Sequence, residues 1–228
     1  MTRRYEVSYL DSDGNIESVI RLAPAISEFE TAFSALARGT VIATTEGPVA
    51  IEDLVPGMVA ITAEGRCETI TWIGSMTLFP AHAMPGMSSG RMIRVTADAF
   101  GVGRPMPDVV LGPSARLLVR GDQNPDQAHL SGSYAPATTF VDGVSIIEVT
   151  PVTPVPVYHI MLERQGSIRA AGLDIESYHP GPELQNRFGV ELSQRFLSLF
   201  PHLQGFSGFG AMAHPRMTAK EVEAALVG

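Results

Sequence analysis

Groups able to do covalent or proton chemistry are few and scattered in this chain. It has one cysteine, Cys67, and six histidines: His82, His129, His159, His179, His202 and His214. Cys67 lies between Arg66 and Glu68, whose charges oppose each other. A reactive thiolate needs an electropositive, partly exposed setting, so Cys67 reads as a half-buried structural residue of a strand. No histidine or cysteine pair has the H-x₃-H or C-x₂-C spacing of structural zinc. A metal would need a site assembled from distant histidines, and neither metal nor cofactor is expected. Gly101-Val102-Gly103 has the glycines of a phosphate loop. A phosphate cradle also needs a helix N-terminus, and Pro105 and Pro107 bar a helix there, so the segment reads as a turn. What remains are serine and threonine hydroxyls and the dispersed imidazoles. Such a set can open an acyl transfer only if the base reaches the hydroxyl.

The elements that must position these groups are mostly strands. Residues 5–10 and 16–22 alternate apolar and polar side chains around Asp11-Ser12-Asp13-Gly14-Asn15, the pattern of a β-hairpin. After Pro24, the spacing of Ile26, Phe29, Phe33 and Leu36 predicts a short amphipathic helix. Ser27 would cap it, with Glu30 three residues on, and it would stop near Gly39. From Thr40 to about Gly172 the chain is a series of short Val-, Ile- and Thr-rich runs bounded by turn residues. These are residues 40–45, 49–54, 58–62, 68–74, 91–100, 108–112, 115–120, 140–150 and 155–163. Residues 80–90 and 121–133 read as loops by composition. Residues 184–200 put Phe188, Leu192, Phe196, Leu199 and Phe200 on one helical face ended by Pro201. Residues 218–227 predict a last helix with a Thr218–Glu221 capping box.

Many short strands without intervening helices point to a mainly β fold of many short strands, with an N-terminal hairpin and a helical C-terminal extension. The 22 glycines and 17 prolines among 228 residues agree with that and oppose a helical bundle. A net charge of −8 argues against nucleic acid as a partner, because phosphate binding needs a basic face. No run of 18 apolar residues predicts a membrane span, and Asp11 and Asp13 interrupt any signal peptide. A single cysteine allows no internal disulfide. Together these suggest a cytoplasmic protein, with export by a non-cleaved route left open.

Residues 35–60 (ALARGTVIATTEGPVAIEDLVPGMVA) resemble the opening of a Hedgehog/intein, or Hint, self-processing domain. Gly39-Thr40-Val41-Ile42 matches the first strand, Glu46-Gly47 the turn after it, and the Val49–Gly57 run the entry to the next strand. Trp72-Ile73-Gly74 and Leu111–Val119 resemble later strands. Val157-Tyr158-His159-Ile160, Ala171-Gly172-Leu173 and Glu176–Gly181 resemble the end of a bacterial branch of the family. The resemblance covers roughly residues 35–181. It implies a Hint-like β domain over 35–181, preceded by the hairpin and helix of 1–34 and followed by a helical extension, 182–228.

In such domains a thiol or hydroxyl attacks the carbonyl of the residue before it, and a histidine in a T-x-x-H pattern assists. Here the nucleophile position holds Ala35, and T-x-x-H falls on Gly112-Pro113-Ser114-Ala115. No residue is catalytic by the family route. The displaced candidates are Ser34, one residue before Ala35, Thr40, and His159, whose strand would approach the same centre. The expectation is a catalytically degenerate Hint-type domain acting as scaffold or binding module. The alternative is self-cleavage through a displaced serine or threonine, so enzyme activity stays open with the balance against it. Partners would be an unidentified protein or peptide, not nucleic acid or membrane. A homo-oligomer through the Phe-rich C-terminal segment is a further option, although that segment more simply folds back over the sheet.

Overall fold

The computed structural model describes residues 1–80, 90–120 and 132–227. The expected loops at 80–90 and 121–133, with His82 and His129, fall largely outside the described residues. Alternation and a polar turn build the first hairpin, β1 (Thr2–Leu10) and β2 (Ile16–Pro24). Asp11 closes it, its Oδ1 accepting the backbone N–H of Asp13 and Asn15, each at 2.8 Å.

The following helix is shorter than its periodicity suggests. α1 covers only Ser27–Glu30, and a 3₁₀ turn follows at Thr31–Phe33. Ser27 does not cap it: Ile26 stands at that position, and the Ser27 hydroxyl donates to Glu28. Leu36, expected on the helix, instead lies in the short strand β3 (Leu36–Ala37). The competing force is tertiary. The backbone there is claimed on both sides by β9 (Val109–Leu111) and β13 (Val155–Leu162), with Leu36 opposite both Leu111 and Tyr158.

The remaining strands are β4 (Val41–Thr44), β5 (Gly47–Ala50), β6 (Val59–Ile61), β7 (Cys67–Leu78), β8 (Met92–Val95), β10 (Arg116–Val119), β11 (Ser133–Pro136), β12 (Ile146–Val149), β14 (Ser167–Ala170) and β15 (Leu173–Glu176). All named pairings are antiparallel. Residues 49–54 do not form one strand. β5 ends at Ala50, and Ile51–Asp53 turn as a 3₁₀ helix that buries Ile51. β11 lies in and just beyond a stretch whose polar composition suggested a loop.

The long strand β7 joins two sheet regions. Its start pairs with β6, and its remainder lies between β1 and β13. Gly74 on β7 is required by packing. A Cβ there would lie 2.1 Å from the Trp72 ring and 2.6 Å from Phe33. This close approach ties the segment before residue 35 into the same core as the central sheet.

The C-terminal region covers one face of that sheet. The single helix expected over 184–200 is broken into α2 (Leu184–Arg187) and α3 (Val190–Leu197), with Phe188 extended and Gly189 as the N-cap of α3. Phe196, Leu199 and Phe200 are fully buried and Phe209 nearly so. Phe200 stacks on Trp72 at 4.7 Å and on Tyr178 at 5.3 Å, and Trp72 Nε1 donates to the Leu199 carbonyl at 2.8 Å. These rings serve the chain's own core. Residues 213–217 then cross the domain. Ala213 N–H donates to Gln165, His214 meets Glu64 at 3.0 Å, and Arg216 meets Glu176 at 2.9 Å. The last helix, α4 (Ala219–Val227), has the expected capping box: Thr218 N–H donates to Glu221, and Glu221 N–H to Thr218 Oγ1.

Candidate functional site

Three stretches converge where the family's reactive centre would lie: residues 34–37, 111–115 and 156–160. β3 is the middle strand. Ala35 N–H donates to the Tyr158 carbonyl at 3.0 Å and Arg38 N–H to the Pro156 carbonyl at 3.1 Å. On the other side, Gly112 N–H donates to the Ala35 carbonyl at 2.8 Å and Ser114 N–H to the Ser34 carbonyl at 3.1 Å. The Ser34–Ala35 peptide is therefore clamped against the 112–115 segment. Gly112 permits the approach, since a Cβ there would lie 2.0 Å from Ser34 O and 2.6 Å from Ser34 C. Ala35 and Ala115 are both buried and belong to one apolar cluster with Leu36 and Leu111.

Ser34 is also buried. Its hydroxyl donates to the Glu30 carbonyl at 2.8 Å and lies 2.7 Å from the Ser114 hydroxyl, which in turn reaches the Thr31 carbonyl at 3.1 Å. Each serine hydroxyl has one proton, and backbone acceptors and the other serine account for both. Among the described residues, no imidazole or carboxylate is hydrogen-bonded to either. Beside them opens a cleft of about 320 Å³, lined by Glu30, Thr31, Ser34, Leu78, Pro113 and Ser114 among others. Ser114 was not singled out from sequence. The available signal was a second hydroxyl inside the very segment that must close on residue 34.

Thr40 lies just before β4, buried, with Oγ1 donating to the Ala37 carbonyl at 2.7 Å. Its hydroxyl is turned back on its own chain. His159 is on β13 as expected, but strand periodicity turns it away. Successive side chains point to opposite faces. Tyr158 packs on the cluster that holds Ala35 and Ala115, whereas His159 sits edge-on against Tyr178, ring centres 5.3 Å apart. Burial, assisted by the charge of Arg216, pushes its pKa down to about 3, so its imidazole is neutral across the physiological range. Its Nδ1 accepts from Ile160 N–H at 3.1 Å. Neither Ser34 nor Thr40 is hydrogen-bonded to it.

The other described histidines are occupied structurally. His179 bridges the Gly210 carbonyl and Gly181 N–H, whereas His202 is held by packing alone: it stacks on Tyr9 with neither ring nitrogen hydrogen-bonded among the described residues, and burial pushes its pKa down to about 4. Among the described residues, no group of three or more His, Cys, Asp or Glu could hold a metal. Cys67 corrects the sequence reading: it opens β7 but is exposed rather than half-buried. Gly101-Val102-Gly103 is a turn, closed by Gly103 N–H donating to Asp98.

The sequence reading also missed a buried polar network. Glu64 accepts from the Ser167 N–H and hydroxyl and meets His214, and the Ser167 hydroxyl reaches Tyr134 at 2.9 Å. Burial raises the Glu64 pKa, but the hydrogen bonds from Ser167 and His214 outweigh it, and the carboxyl stays below its ordinary range. Its members lie up to 150 positions apart in sequence, so no local pattern announces it.

The family model described as the Hint domain matches residues 34–182. The chain belongs to the Hint-domain family. Its mainly β strand array is the fold that the opening segment implied. Among solved structures, this Hint chain is similar to the bacterial intein-like domain from Clostridium thermocellum, at 13% identity over 64% of this chain and 99% of that one, TM-score 0.43. It is also similar to the MchDnaB-1 intein, at 16% identity over 63% of this chain and 100% of that one, TM-score 0.40. No curated protein matches it. Within the described residues, no helix of this Hint protein is long and apolar enough to cross a membrane.

Proposed function

We propose that this chain is a non-cleaving Hint protein, in which the domain acts as a permanent scaffold for the N-terminal hairpin and presents a binding cleft beside the former reactive centre. One observation carries the reading. The Ser34–Ala35 peptide is held by the 112–115 segment, as a processed bond would have to be, yet methyl groups occupy positions 35 and 115 on either side of it. A methyl has no electron pair with which to form an ester. Losing a positioned acid or base alone costs on the order of 10²–10⁴ in rate, and losing the nucleophile removes the covalent route. The packing of Phe33 against Trp72, ring centres 5.3 Å apart, fits a segment that stays attached. A single exposed cysteine suits a reducing compartment, and we assign the protein to the cytoplasm on that basis.

The second reading, self-cleavage through Ser34, has one feature in its favour: the hydroxyl lines the cleft. Against it stands the absence of any base bonded to that hydroxyl among the described residues. Intact-mass measurement of the purified chain, incubated with and without a thiol or hydroxylamine, separates the two. A non-cleaving protein keeps one unchanged mass. Time-dependent fragments cut between residues 30 and 40 contradict the proposal.

A further inference from the structure

The outer edge of the N-terminal hairpin offers a surface whose fit can be worked out residue by residue. Among the described residues, β2 pairs only with β1. Asp11 N–H donates to the Asn15 carbonyl and Ala25 N–H to the Met1 carbonyl, so odd-numbered residues of β2 direct their backbone groups toward β1. In an antiparallel ladder the even-numbered residues then direct theirs outward. Ile16, Ser18, Ile20 and Leu22 thus present four N–H and four C=O groups along an open edge. Pro24, which has no N–H, ends the run. Ile16, Ile20 and Leu22 are 51%, 56% and 74% exposed. Long, apolar, unprotected edges are templates for further pairing, and proteins usually blunt them.

The sequence of this edge is complementary to itself. Set antiparallel to a second copy with Val19 opposite Val19, Ile16 faces Leu22 and Ser18 faces Ile20, all outward-directed residues, so every open N–H and C=O from 16 to 22 finds a partner. In that register alone, Glu17 faces Arg21 of the other copy, twice by symmetry. Glu17 has no ion pair among the described residues. Among the described residues, Arg21 is held only by a 3.4 Å bond from Nε to the Ser198 carbonyl, which leaves its terminal nitrogens available. The two residues cannot pair within one strand, since four residues of strand span about 13 Å. A shift by one residue in the pairing sum would match inward with outward backbone groups. The next allowed register sets Glu17 against Ala23 and forfeits both ion pairs.

We infer that the chain forms a two-fold dimer by antiparallel β2–β2 pairing centred on Val19, extending the sheet across two copies. The surface is distinct from the cleft beside Ser34 and does not depend on the loss of cleavage.

Light scattering coupled to size exclusion tests it. The wild-type chain is expected at twice its 24.4 kDa mass as concentration rises. Glu17→Arg and Arg21→Glu each place like charges in both cross-strand pairs, which is expected to weaken dimerisation about tenfold or more. Mixed together, the two variants restore the dimer, because both cross-strand pairs then join a guanidinium of one copy to a carboxylate of the other. The doubly swapped chain dimerises by itself. Ile20→Pro removes an outward N–H and leaves the inward ladder intact, so it gives a monomer with unchanged circular dichroism. A wild-type chain that stays monomeric at high concentration overturns the inference and leaves the edge to a strand from another polypeptide. A dimer indifferent to the single charge reversals, or single variants that do not rescue each other, overturns it equally.

Discussion

Gly112→Ala puts the closeness of the Ser34 carbonyl to the 112–115 segment under direct test. Its methyl would lie 2.0 Å from Ser34 O, 2.6 Å from Ser34 C and 3.3 Å from Ala35 C. Ordinary contact begins near 3.4 Å. The Ser34 carbonyl is backbone and cannot swing aside like a side-chain tip, so it must withdraw by more than an ångström. That breaks the 3.1 Å bond from Ser114 N–H and strains the 2.8 Å bond from Gly112 N–H to Ala35 O. Losing the first of these buried bonds and weakening the second costs roughly 2–4 kcal/mol. The substitution also removes glycine's unfolded-state freedom, which offsets about 0.4–1 kcal/mol. The net expectation is a loss of about 1–3.5 kcal/mol, or a Tm lower by about 2–14 °C for a chain of this size. Gly205→Ala is the control, because nothing lies within 4 Å of its Cβ position; it should change stability by less than about 0.5 kcal/mol. Both are read by urea unfolding and calorimetry. A Gly112→Ala chain as stable as wild type would refute the clamped geometry. The same clash predicts that restoring threonine at 112 displaces residue 34 before it can help any chemistry.

Three further outcomes follow from the core and from the docking of the C-terminal region. His159 is held neutral to about pH 3 when folded and titrates near 6.5 when unfolded, so the unfolded chain binds the extra proton between those values. Stability should therefore fall on acidification from about pH 6.5, by up to about 1.4 kcal/mol per pH unit from this residue, and His159→Gln should flatten the slope in urea titrations. Arg216→Ala leaves Glu176, whose side chain is only 4% exposed, with the more distant Arg116 at 3.7 Å. About 3 kcal/mol should be lost, with faster hydrogen exchange across 205–217. Phe200→Ala empties the space beside the touching Trp72 and Tyr178 rings and should cost about 3–5 kcal/mol, with a red shift in the emission of the one tryptophan.

Where local pattern decides structure, the sequence was legible. Alternation located the hairpin, Val- and Ile-rich runs located most strands, and Thr218 with Glu221 located the start of the last helix. Where tertiary contacts override local preference, it was not. The helical spacing that ran through Leu36 lost to strand pairing on both sides of β3. The apolar face of 184–200 read through a break at Phe188–Gly189, because periodicity does not register one extended residue. At the site, the opening segment led to residues 35 and 112–115 by resemblance. That the Ser34 carbonyl touches Gly112, that Ser114 shares a proton network with Ser34, and that His159 faces Tyr178 depend on contacts that no local run of residues encodes. Strand periodicity would have predicted the facing of His159 once Tyr158 was placed against β3.

The central claim is that the bonds on either side of Ser34 are held by the fold and do not rearrange. The chain is incubated folded, then exposed to hydroxylamine, which traps any ester, and its peptides are mapped across residues 30–40. The 33–34 and 34–35 bonds are expected to stay intact at every time point, with no hydroxamate. A Phe33 hydroxamate that accumulates in the folded chain and is absent from a Ser34→Ala chain would contradict it.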